Sequence, residues 1–331
     1  MQAPPPDMPR RDPDPDGFQE MELVGIRVEQ PSDEPIALLK KAQGDRWLPV
    51  SVGPVEAAAI AFAQQRMASL RPLTHDLLRD VLDAVNIRLV SARVISLVDN
   101  TFDGDLVLSN GRNVRSRPSD GIALAIRAGA PILASDEILA QAGTAAPDDS
   151  PAPLANDPAT EKAEPARENK DRPSSIGYLS DLAIADPSPT AVMSELKLLG
   201  VRVEQPSNSP IVLLKEAHGD RYLPIWIGAA EATAIAFAQQ GTATPAPLTH
   251  GLFGDVLEAV GVRLLSVRIN ALSGGIFYAD LVLSNGSNVS ARPSDAIAIA
   301  IRLGAKIETT VEVLDAAGVE LPADESKDGR E

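Results

Sequence analysis

At 331 residues the chain is long enough for two domains that each bury a core, and with no cysteine it excludes disulfides and thiolate-bound zinc, as suits a reducing compartment. The formal net charge is −16, yet residues 21–143 carry 13 basic and 15 acidic side chains and residues 196–318 carry 9 and 11, so most of the excess lies outside these two stretches. Each stretch is nearly neutral and lacks the strong basic footprint of a nucleic-acid binder.

In chain order, residues 1–20 read as a disordered arm. The opening Met1-Gln2-Ala3-Pro4 has neither the charged nor the apolar region of a signal peptide, and no apolar run approaches the roughly 20 residues of a membrane helix. A cytoplasmic protein without a membrane partner is expected. Glu22 to Val28 predicts a strand ended by Gln30-Pro31. Ile36 to Lys41 and Arg46 to Val52 are β-rich runs split by Gln43-Gly44-Asp45, a hairpin signal. Pro54 suits the first position of a helix that runs to about Gln65 and, apolar nearly all round, should be buried. Thr74 is a candidate N-cap for a second helix, His75 to Val85. Arg88 to Val98 and Phe102 to Ser109 predict a strand pair, with Asn110-Gly111 turning the chain into Arg112 to Ser116. Ser119 is placed to cap a third helix ending at Gly129, and Ser135 to Gly143 predicts a short fourth. The predicted class is α+β, a mixed, largely antiparallel sheet with packed helices.

The whole pattern then returns. Gly25-Ile-Arg-Val-Glu-Gln-Pro-Ser32 reappears as Gly200-Val-Arg-Val-Glu-Gln-Pro-Ser207, Pro72-Leu-Thr-His75 as Pro247-Leu-Thr-His250, and Arg117-Pro-Ser-Asp120 as Arg292-Pro-Ser-Asp295, at a constant offset. Two copies of so long a unit indicate duplicated domains, 21–143 and 195–318, and not a solenoid. Residues 144–194, rich in Ala, Pro, Asp and Glu, read as an acidic disordered linker spanning on the order of 40 Å, and 319–331 as a tail. Such a tether lets the copies pair with each other or with those of a second chain.

Candidate chemistry is sparse. His75 and His250 are the histidines common to both copies, suited to acid–base work near neutral pH or to a phosphate, though they also stand at a helix start. Asp120 and Asp295 could orient a basic group, bind metal or merely complement a helix dipole. Arg117 and Arg292 could hold phosphate or pair with the aspartate three residues on. Asp103 and Asp105 alternate along a strand and share a face; with Glu56 as a further acid they make a possible Mg²⁺ or Mn²⁺ site. Glu56 and its counterpart Glu231 open an otherwise apolar helix. Phosphate loops, nucleophile elbows and two-histidine zinc motifs are missing.

The ordered blocks Leu48-Pro-Val-Ser-Val-Gly53, Glu56-Ala-Ala-Ala-Ile-Ala61, Arg71-Pro-Leu-Thr-His-Asp76, Phe102-Asp-Gly-Asp-Leu-Val-Leu108 and Arg117-Pro-Ser-Asp-Gly-Ile-Ala-Leu-Ala125, with their repeats in the second half, resemble the bifunctional nuclease domain. The resemblance covers both copies and implies a nuclease acting on DNA and RNA. It points to His75, Asp76, Asp120, His250 and Asp295 for catalysis and to Arg71, Arg117 and Arg292 for substrate. Both copies depart from the family pattern. The second reads Ala246-Pro-Leu-Thr-His-Gly251 where the first has Arg71 and Asp76, while Phe277-Tyr-Ala279 of the second stands as Phe102-Asp-Gly104 in the first; the acid usual two residues before Arg-Pro-Ser-Asp is Arg115 or Ser290. The alternatives are a non-catalytic ligand- or protein-binding module built as a pseudo-dimer, or a pair in which one copy works and the other supports it.

Overall fold

The computed structural model describes residues 17–29, 33–66, 71–145, 191–241 and 247–320. Nearly all of the stretches read as arm, linker and tail lie outside these residues. In the first copy the elements are β1 (Phe18–Glu29), β2 (Glu34–Lys41), β3 (Trp47–Ser51), α1 (Pro54–Gln64), α2 (Thr74–Ala84), β4 (Leu89–Val98), β5 (Thr101–Leu108), β6 (Asn113–Ser116), α3 (Pro118–Ala128), β7 (Ile132–Ser135) and α4 (Asp136–Ala142). The sheet order is β3-β2-β1-β7-β4-β5-β6, antiparallel except where β7 runs parallel to β4. β1 begins at Phe18, inside the stretch read as arm. β7 sits at the sheet centre and is not apparent in the sequence, because four buried residues, Ile-Leu-Ala-Ser, are too few to show a period.

Local chemistry explains the helix ends. Gly129 stops α3 with φ 64°, a left-handed conformation that glycine takes without a Cβ penalty. Ser135 caps α4, its hydroxyl accepting from Ile138 N at 3.1 Å. α2 departs from expectation. Leu73 holds the cap position and Thr74 is the first helical residue, because the Thr74 hydroxyl is engaged elsewhere. α3 likewise starts at Pro118, with Arg117 at the cap and Ser119 inside the first turn. The expectation of a wholly buried α1 is corrected. Only Ala57, Ile60 and Ala63 are buried, while Val55 is 59% exposed, since the helix rests one face on β1, β2 and α3.

The second copy repeats this plan with β8 (Met193–Glu204), β9 (Ser209–Glu216), β10 (Arg221–Trp226), α5 (Ala229–Gln240), α6 (Thr249–Ala259), β11 (Leu264–Ser273), β12 (Ile276–Leu283), β13 (Asn288–Ala291), α7 (Pro293–Leu303), β14 (Lys306–Thr310), α8 (Val311–Ala317) and β15 (Val319–Glu320). Its sheet order is β13-β12-β11-β14-β8-β9-β10-β15. Two mostly antiparallel sheets with packed helices, duplicated in tandem, make this an α+β protein.

The copies dock reciprocally. α2 packs on β13, α6 on β6, and the two helices meet each other. Asn110 Nδ2 donates to the Ala259 carbonyl at 3.1 Å, and Asn285 Nδ2 to the Ala84 carbonyl at 3.3 Å. Such i-to-j and j-to-i pairing is the mark of a twofold interface, here within one chain. Buried apolar side chains of both copies join in one connected core. Among the described residues no helix is long and apolar enough to cross a membrane.

Candidate functional site at the seam between the copies

Helix starts converge at this seam. In the first copy, His75 from the first turn of α2 places Nε2 2.9 Å from Asp120 Oδ1, in the first turn of α3. Arg117, capping α3, donates from Nε to Asp120 Oδ2 at 2.8 Å and from Nη1 to Glu56 Oε1 of α1 at 2.8 Å. The other copy completes the cluster: Thr249, first residue of α6, donates to Asp120 Oδ1 at 2.8 Å and accepts from Arg117 Nη2 at 3.0 Å. The second copy builds the same cluster. His250 Nε2 lies 2.9 Å from Asp295 Oδ1, Arg292 bonds Asp295 Oδ2 at 2.7 Å and Glu231 Oε1 at 2.8 Å, and Thr74 of the first copy donates to Asp295 Oδ1 at 3.0 Å. Thr74 and Thr249 were not expected at a site. Only their recurrence before each histidine hinted at more than capping.

Asp120 and Asp295 are fully buried. Burial pushes each carboxyl up, but the hydrogen bond from the histidine and the charges of histidine and arginine outweigh it, holding both at about 2. They are therefore ionised at neutral pH. Burial pulls Arg117 and Arg292 down, and the flanking carboxylates more than restore them, so both stay charged. A carboxylate on Nε2 fixes the proton on that nitrogen and leaves Nδ1 as the acceptor in the neutral ring.

The remaining predicted residues divide. Arg71 leaves its own copy's cluster and joins the other, donating from Nη1 to the Phe277 carbonyl at 2.8 Å. Asp76 stands apart from Asp120. It accepts from Leu73 N at 3.1 Å and Arg127 Nε at 2.9 Å, on the wall of a cleft of about 830 Å³ shared with Arg66 and Arg79. Asp103 and Asp105 do not meet Glu56. A Cβ on Gly104 would touch Pro118 of α3, so Gly104 faces the helices and strand alternation turns both aspartates to the opposite face. There Asp103 pairs with Arg115 at 2.9 Å, while burial pushes Asp105 up.

The profile of the bifunctional nuclease domain matches residues 37–147 and 212–322. The chain belongs to this family. Two proteins of Mycobacterium tuberculosis, from strains CDC 1551 / Oshkosh and ATCC 25618 / H37Rv and both named as uncharacterized, are each 54% identical over 134 residues, 40% of this chain and 81% of theirs. One relative therefore corresponds in length to about one copy of this bifunctional nuclease domain pair.

A divalent ion does not fit the residues present. Among the described residues no three histidine or acidic side chains gather as a ligand set, and both oxygens of Asp120 and of Asp295 are taken by protein donors. The trio of Asp103, Asp105 and Glu56 expected from the sequence is split across the sheet.

Proposed function

We propose that the protein hydrolyses phosphodiester bonds of DNA and RNA at the seam between its two copies. The observation behind this reading is the meeting of histidine, ionised aspartate and arginine, within hydrogen-bond reach, at converging helix starts whose dipoles favour an anion. The aspartate holds the imidazole so that Nδ1 takes a proton from water as the water oxygen bonds to phosphorus. The P–O ester bond breaks with its electron pair on the leaving oxygen, and the imidazolium returns the proton there. Contacts to phosphate carry no base information, which suits action on both nucleic acids.

One observation favours a binding module instead: every oxygen of the two buried aspartates is satisfied within the protein, as in a clasp that locks the copies together. Labelled single-stranded DNA and RNA incubated with the purified chain, in EDTA and in Mg²⁺ or Mn²⁺, separate the readings. Cleavage in all three conditions, lost in the His75→Gln/His250→Gln double variant, is expected. Full cleavage by the double variant would remove the site, and no cleavage with a flat dependence of binding on salt would favour the module.

A further inference from the structure

We propose that the two clusters are unequal, and that the one around Asp295 is a phosphate-binding site completed by Arg71 from the opposite copy. The proposal rests on the phosphodiesterase reading and names which of the two sites holds substrate. The segment that hands the Thr74 hydroxyl to Asp295 also carries Arg71 across the seam to the Phe277 carbonyl. That bond uses one of five guanidinium donors. Among the described residues no carboxylate lies within ion-pair distance of Arg71. Instead it sits half-buried beside the charges of Arg292, Asp295 and Glu231. Burial and Arg292 both disfavour its positive charge. Two guanidiniums brought together, one of them with donors to spare, are arranged for an anion that neither copy supplies.

The first cluster lacks this feature for a reason written in the sequence. The position corresponding to Arg71 is Ala246. With one histidine in each cluster left aside, Glu56, Asp120 and Arg117 leave the first cluster one negative charge in excess. Glu231, Asp295, Arg292 and Arg71 balance. A phosphodiester anion is repelled from the first and accepted at the second.

Calorimetric titration of the full chain with inorganic phosphate tests this. One phosphate per chain is expected, with affinity reduced about tenfold or more in Arg71→Gln and largely recovered in Arg71→Lys, while thermal midpoints show that each variant folds. His250→Gln should weaken binding by more than His75→Gln does. Two equal phosphates per chain, or unchanged binding by Arg71→Gln, would overturn the proposal. Single-site, Arg71-dependent binding without any oligonucleotide cleavage would remove the phosphodiesterase reading and leave the unequal sites standing; cleavage indifferent to Arg71 would do the reverse.

Discussion

Asp120 and Asp295 should make the protein acid-sensitive in a way that can be dissected. Each sits at about 2 in the fold, against about 3.9 for a free aspartate. The folded state therefore binds these protons less readily than the unfolded one. Their stabilisation is complete above the unfolded value and is lost as pH falls from about 4 through about 2. That difference corresponds to roughly 2–3 kcal/mol per carboxylate, or about 5 kcal/mol for the pair, a large share of an ordinary 5–15 kcal/mol stability. Both groups are fully buried, so solvent screening removes little of this.

Urea unfolding at a series of pH values from 7 to 2 reads the effect, and Asp120→Asn isolates one carboxylate. At pH 7 the variant should lose about 3–5 kcal/mol, because the buried side of Arg117 then keeps only Glu56 as a counter-charge. Between pH 5 and 2 its stability should fall by about 2 kcal/mol less than that of the parent, since the titrating group is gone. Parallel stability-versus-pH curves for parent and variant would refute the reasoning.

Three smaller perturbations follow from the same geometry. Thr249→Val removes the hydroxyl that bridges Asp120 and Arg117 across the seam, which should cost about 1–3 kcal/mol in thermal unfolding; additivity with Asp120→Asn in a double-mutant cycle would count against the shared cluster. Gly104→Ala would drive a Cβ into the Arg93 carbonyl and should cost about 1–3 kcal/mol, and a neutral result in chemical denaturation would show that β4 and β5 can spread there. Ser135→Ala removes both the α4 cap and a 2.6 Å hydrogen bond to the Ile95 carbonyl, so a loss of about 1–2 kcal/mol in urea unfolding is expected; no change would mean the helix start is satisfied otherwise.

Much of the fold was legible in local patterns. Pro54, Gly129, Ser135 and Asn110-Gly111 act on their immediate neighbours, so the elements they bound fell within a few residues of expectation. β7 was hidden because a central strand of four residues, all buried, carries no alternation. The histidine and the Arg-Pro-Ser-Asp block were legible as candidates, and the 2.9 Å approach of His75 to Asp120 unites them. Thr74 was read as a cap because capping is what a threonine before a helix ordinarily does. Its true acceptor, Asp295, lies 221 residues away, and no local rule reaches that far. The carboxylates at 103 and 105 misled for the opposite reason. Spacing placed them on one face correctly, but could not say that this face turns away from Glu56.

Tandem fusion bears directly on the asymmetry. In a twofold pair of identical chains, every residue given across the seam is given in both directions, so an arginine at position 71 would enter both clusters. Joining the copies in one chain removes that constraint. Arg71 and Ala246 can differ, while the reciprocal threonine and asparagine bonds that hold the seam stay paired. The bonds retained in both directions are those that join the copies. The difference falls on a group that sets the charge beside one buried aspartate, Asp295, and neither half of the chain by itself contains a complete cluster. Separated copies would thus lose the Asp295 cluster twice over, in the hydroxyl of Thr74 and in the guanidinium of Arg71.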